Sequence, residues 1–129
     1  MKNVIITILL LALFSVISIR TVKADELFDT YYPNKTSWVI EKNLHLFNFA
    51  LALKRDPKLI GYIYVFTTKN ESQSKVNFRS GRAVRYLTET SPISLRIEKS
   101  RIVVIYKKEA DESKIILQPT PKGIPPIDF

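Results

Sequence analysis

The chain has no cysteine and a single histidine among its 129 residues. Disulfides, thiol nucleophiles and thiolate zinc sites are therefore excluded. Stability must come from packing. With one histidine, a transition-metal site would need clustered carboxylates, and the acidic residues do not cluster. Glycine occurs only three times. No glycine-rich loop can cradle a phosphate, and neither G-x-S-x-G nor H-E-x-x-H is present. A glycosidase could run on two carboxylates, but no acidic pair stands out. Asp111-Glu112 lies in a charged turn. His45 falls on a predicted helix and reads as a boundary residue. With no nucleophile–base set, no catalytic residue, metal site or cofactor is expected, and the chain does not read as an enzyme.

What is present begins at the N-terminus. Lys2 precedes an apolar run of 16 residues, 4–19, which is followed by Val22-Lys23-Ala24. That ending is a small-residue cleavage site of the A-x-A type. The run is shorter than the ~20 residues a spanning helix needs. Residues 1–24 thus read as a signal peptide, and the mature chain is expected to be secreted or periplasmic. The alternative is an N-terminal membrane anchor, since Arg20 and Lys23 lie on the far side of the run. Charge there favours that side staying in the cytoplasm. No spanning helix is expected after cleavage, and no cysteine follows the run to carry a lipid.

The formal charge is +8; residues 1–24 hold three basic and no acidic residues, which leaves +5. A moderately basic domain suits an anionic surface such as a cell wall, phospholipid headgroups or nucleic acid. Residues 25–118 are long enough for one domain with a real core.

Residues 27–32 are rich in β-formers and read as a first strand, closed by Pro33-Asn34. Ser37 can cap a helix with Glu41 in its first turn. Ile40, Leu44, Phe47 and Leu51, with Ala50 beside them, give that helix a core stripe. Asp56-Pro57 stops it. Residues 62–68 form a continuous β-branched and aromatic run, as in a strand buried on both faces. Ile63 and Val65 should face one side, Tyr64 and Phe66 the other. A second helix runs from about 74 to 88, with Val76, Ser80, Ala83, Val84 and Leu87 inward. Residues 101–106 are a third strand, and 114–118 a fourth that reads as its hairpin partner. Residues 119–129 hold most of the chain's seven prolines. That tail should be extended and poorly ordered unless it docks. The order β-α-β-α-β-β implies an α/β (α+β) fold, a two-layer sandwich with a mixed sheet and both helices on one face.

The second helix carries Lys75, Arg79, Arg82 and Arg85. The first three recur at helical spacing along one face, with Gly81 between two of the arginines. Such arginines can grip a carboxylate or phosphate through two bonds at once, or simply form a solvated face. Only Phe78 and Tyr86 interleave as aromatics, so nucleic acid is an unlikely partner.

From residue 27 to about 126 the layout resembles the outer-membrane protein A-like C-terminal domain, a cell-envelope module that binds peptidoglycan. NLHLFNFALALKRDPKLIGYIYVF is similar to that family's amphipathic helix, Asp-Pro turn and buried strand. RSGRAVRYL is similar to its Arg-Ala-rich second helix ending in Tyr-Leu. PTPKGIPP resembles the P-x-G tail of a shortened variant. In peptidoglycan-binding members an Asp after the second strand and an Arg on the second helix hold the diaminopimelate group. The Asp position falls at Thr68 in VFTTKN. The Arg position falls at Arg79 if Tyr86-Leu87 fixes the register, and at Arg82 if Arg82-Ala83 does. The resemblance thus implies a non-enzymatic envelope-binding domain with Thr68 and Arg79 or Arg82 at the ligand. Since open α/β sheets bind ligands beyond the carboxyl ends of their strands, the expected ligand-binding residues are Thr67, Thr68, Arg79 and Arg82. Its partners would be peptidoglycan, held weakly, or an envelope protein. The alternative is a secreted protein-interaction module without a wall site, using its sheet edge or Pro-rich tail. In a wall binder the arginines should converge on a concave site near Thr67 and Thr68; in an interaction module they would splay into solvent.

Overall fold

A computed structural model describes residues 27–129. The signal-peptide assignment, residues 1–24, lies outside the described residues. The fold is a mixed four-stranded sheet in the order β1-β4-β2-β3, with two helices on one face. The strands are β1 (Asp29–Tyr31), β2 (Leu59–Phe66), β3 (Ile102–Lys107) and β4 (Lys114–Pro121). This is the two-layer α+β sandwich expected from the element order.

Helix α1 covers residues 38–55 in three pieces. Trp38–Ile40 is α-helical, Glu41–Leu46 is a π segment, and Phe47–Arg55 is α-helical again. Ser37 caps it as expected, its hydroxyl accepting from the Ile40 N–H at 3.3 Å. The buried stripe is not the expected one. Ile40 and Leu44 are about half exposed, whereas Leu46, Phe49, Ala50 and Leu53 are fully buried. Two features explain the correction. The π segment, with its longer repeat, brings Glu41 and Leu46 to the same face. Gly61 on β2 then leaves room for the stripe that follows. A Cβ there would meet Leu53 Cδ1 at 2.7 Å and Phe49 Cζ at 2.9 Å.

Helix α2 runs over Gln73–Arg85 and ends in a π turn, Tyr86–Thr90. Ser72 caps it, and Val76, Ser80, Ala83 and Leu87 are buried as their spacing predicts. Val76, Ala83 and Leu87 meet α1, Ile63 and Val65 of β2, and Ile115 and Leu117 of β4 in one core, with Val84 only partly buried beside it, while the Ser80 hydroxyl donates to the Val76 carbonyl. Tyr64, Phe66 and Ile116 point to the opposite face.

β4 is not the hairpin partner of β3. β3 lies parallel to β2, while β4 inserts antiparallel between β1 and β2. Burial explains this. Ile115, Ile116 and Leu117 are apolar on both faces and need a central position, whereas Val103 and Tyr106 of β3 remain partly exposed. The connection crosses the carboxyl end of β2, where Ala110 N–H donates to Thr67 O at 2.8 Å.

The tail docks. Pro119 and Pro121 extend β4, and Ile127 packs against Tyr64, Phe66 and Ile116. The Phe129 ring stands edge-on to Tyr64 and Phe66, with centroids at 4.8 and 5.6 Å.

Candidate functional site

Thr67 and Thr68 follow the carboxyl end of β2, where the loops into α2 and from β3 to β4 meet. Beside them lies a cleft of about 380 Å³ lined by Thr67, Thr68, Lys69, Glu71, Lys108 and Glu109, among others. Glu109 holds a φ of 62°, a left-handed backbone conformation uncommon for a residue with a side chain.

Neither arginine stands free at this cleft. Arg79 is buried, and its Nη1 donates to Glu71 Oε2 at 3.1 Å while its Nη2 donates to Asn34 Oδ1 at 2.9 Å. Glu71 also accepts from the Thr68 N–H at 3.1 Å and from the Ser113 hydroxyl. Burial alone would push the Glu71 carboxyl up. The Ser113 hydroxyl, the Thr68 N–H and Arg79 outweigh that and hold it below the usual carboxylate range. The chain's own carboxylate thus occupies an anion hole built from one guanidinium, one backbone N–H and one hydroxyl.

Arg82 belongs to a different network. Its Nη2 donates to Glu41 Oε1 at 3.2 Å, and its guanidinium lies 4.2 Å from the Trp38 ring centroid and 5.4 Å from that of Phe78. Glu41 sits on the π segment of α1 with only 2 % of its surface exposed. It also accepts from the Tyr31 hydroxyl at 2.6 Å. Burial and then the adjacent Glu41 charge push the Tyr31 phenol far above its ordinary value, so it remains a donor. The His45 ring stacks on Tyr31 at 4.3 Å, and its Nδ1 lies 2.7 Å from Asp29 Oδ2.

The four expected residues therefore do not form one open site. Thr68 and Arg79 meet through Glu71; Arg82 is drawn away to Glu41. The arginines neither converge on the cleft nor splay into solvent. Glu71, Glu41, Asn34 and Ser113 were not expected as partners. A signal for one of them existed: Val76, Arg79 and Ala83 share the buried spacing of α2, so Arg79 required a buried acid.

Searches of protein-family models, of curated proteins and of solved structures return no match to this chain. Among the described residues no helix is long and apolar enough to cross a membrane, and no acidic, histidine or cysteine group could hold a metal ion.

Proposed function

We propose that this chain is a non-enzymatic binding domain of the cell envelope, secreted or periplasmic, that works through a protein partner. The observation that carries this reading is the state of the two arginines. Arg79 and Arg82 are each committed to a buried carboxylate. Freeing Arg79, itself buried, would strip Glu71 of its cation at a cost of about 3–5 kcal/mol, and freeing Arg82 would leave Glu41 with the Tyr31 hydroxyl alone. The outer-membrane protein A-like resemblance supports the envelope address. It does not supply the wall-binding acid, which Thr68 replaces.

A second reading, weak peptidoglycan association, draws on the cleft. Lys69 and Lys108 could meet a carboxylate there, and Glu109 an ammonium. One experiment separates the two. The mature protein and Thr68→Asp are incubated with purified peptidoglycan sacculi, and in parallel with a cross-linked envelope extract. The expected result is no retention of the wild type on sacculi and capture of an envelope protein. Retention of the wild type, strengthened by Thr68→Asp, would overturn the protein-partner reading in favour of the wall.

A further inference from the structure

The outer edge of β3 offers an interaction surface, and the inference drawn from it rests on the protein-partner reading. β3 ends the sheet, with β2 on its inner side. Among the described residues no backbone group pairs with its outer side. An edge strand presents a row of free N–H and C=O groups. The opposite edge, β1, is only three residues long, whereas β3 has six.

Side chains prepare this edge for an occupant. Val104 packs toward the helices, and the Tyr106 hydroxyl lies 2.8 Å from Ser80 Oγ on α2. Between β3 and α2 runs a groove of about 370 Å³. Val84 and Val104 give it an apolar lining, Arg85 and Lys99 a cationic rim. Gly81 widens it, since a Cβ added there meets nothing within 4 Å. Glu89 also lines the groove and leaves the cations in excess.

We propose that β3 accepts an extended segment of a partner protein as a fifth strand. Every second side chain of an added strand would enter the groove. One position would be apolar, against Val84 and Val104. The next on that face would be acidic, facing Arg85 and Lys99. Main-chain bonds supply affinity, and the groove supplies selection. Charge argues against a second copy as the occupant. Antiparallel pairing of two β3 edges would bring Lys99 of one copy near Lys107 and Lys108 of the other, and like charges across strands destabilise.

The probe is a labelled synthetic peptide of alternating valine and glutamate. Its controls are a valine–lysine peptide and a version with a central proline. Anisotropy measures binding to the mature chain, and amide exchange locates it. The valine–glutamate peptide should slow exchange in β3 and bind about tenfold tighter than either control. Gly81→Tyr fills the groove from an exposed helical position. It should weaken binding about tenfold, as should Arg85→Glu, with both variants melting like the wild type. Unchanged exchange in β3, equal binding of the lysine peptide, or indifference to Gly81→Tyr would overturn the proposal. So would a dimer whose β3 amides are protected without peptide. An envelope protein captured equally by wild type and Gly81→Tyr would remove the β3 edge and leave the protein-partner reading standing. Peptide binding without any envelope partner would overturn that reading and leave the edge.

Discussion

The two faces of the sheet are built from the same strands and are covered in different ways. On one face, Ile63, Val65, Ile115 and Leu117 are fully buried beneath two helices. On the other, Tyr64, Phe66 and Ile116 are nearly as buried, yet much of their cover is the tail, through Ile127 and Phe129. Side-chain size makes this possible. The helix face uses branched aliphatics, which need neighbours on every side. The tail face sets the large rings of Tyr64 and Phe66 beside Ile116, and the Phe129 ring packs edge-on against both. Pro125 and Pro126 restrict the tail before it docks, so less conformational entropy is lost. A thin cover can therefore close a face whose own side chains are wide.

The helix face should be the less forgiving one. Val65→Asp places a charge with no partner in the core that Val65, paired with Ile115 of β4, shares with the helices. It should cost more than about 4 kcal/mol and leave the domain unfolded near room temperature. Loss of the far-ultraviolet circular dichroism signal checks this. A variant that melts like the wild type would mean that β2 is not central in solution.

Arg79→Ala tests how α2 is fixed above that face. Arg79 ties α2 to Glu71 and Asn34, and Glu71 ties in Ser113 before β4. Removing it should cost about 3–5 kcal/mol, because a buried carboxylate loses its cation. The pH dependence carries the same information. Glu71 is held below its ordinary value in the folded state. Its contribution is therefore fully present above the ordinary carboxylate range and is lost as pH falls through the depressed folded value. Denaturant titrations at neutral and acid pH should converge for wild type and Arg79→Ala at low pH. A gap that stays constant would assign the loss to packing instead.

Strands β2, β3 and β4 were legible because their runs are long and apolar, and β2 showed its alternation directly. The face of α1 was not legible. Its sequence offers two apolar stripes, Ile40-Leu44-Phe47-Leu51 and Leu46-Phe49-Ala50-Leu53, and spacing alone cannot rank them. The choice was made by a partner distant in sequence, Gly61, and by the π segment that carries Glu41 inward. The place of β4 was hidden for a similar reason. Proximity to β3 suggested a hairpin, and only burial on both faces identified a central strand. At the site, Thr68 and Arg79 were legible as neighbours. Glu71 was signalled only indirectly: the buried spacing that Arg79 shares with Val76 and Ala83 calls for an acid without saying which one.

Gly61→Val should measure that choice of stripe. The new side chain would press on Leu53 and Ile102 at the flexible ends of their side chains, and on the tip of the Phe49 ring. Those ends can give way, so the cost should be about 1–3 kcal/mol rather than loss of the fold. Thermal melting of the variant checks the size. A neutral result would show that α1 can shift and that Gly61 does not select its face.

The smallest effect should come from the tail face. Deleting residues 124–129 removes Ile127 and Phe129 but keeps the turn at Gly123, whose φ of 89° suits glycine. Full burial of one such side chain is worth about 1.5–3 kcal/mol, and Phe129 is 46 % exposed in the intact chain. Two partly buried side chains, less the entropy of ordering the tail, leave about 1–2 kcal/mol. The deletion should therefore lower the melting temperature by only a few degrees. It should, however, uncover Tyr64 and Phe66. Binding of an apolar dye should rise, and amide exchange should quicken in β2 and β4 while the helices remain protected. A loss as large as that of Val65→Asp would make the tail as integral as the helices and erase the distinction between the faces. No change in dye binding or exchange would mean that the tail leaves this face open in solution.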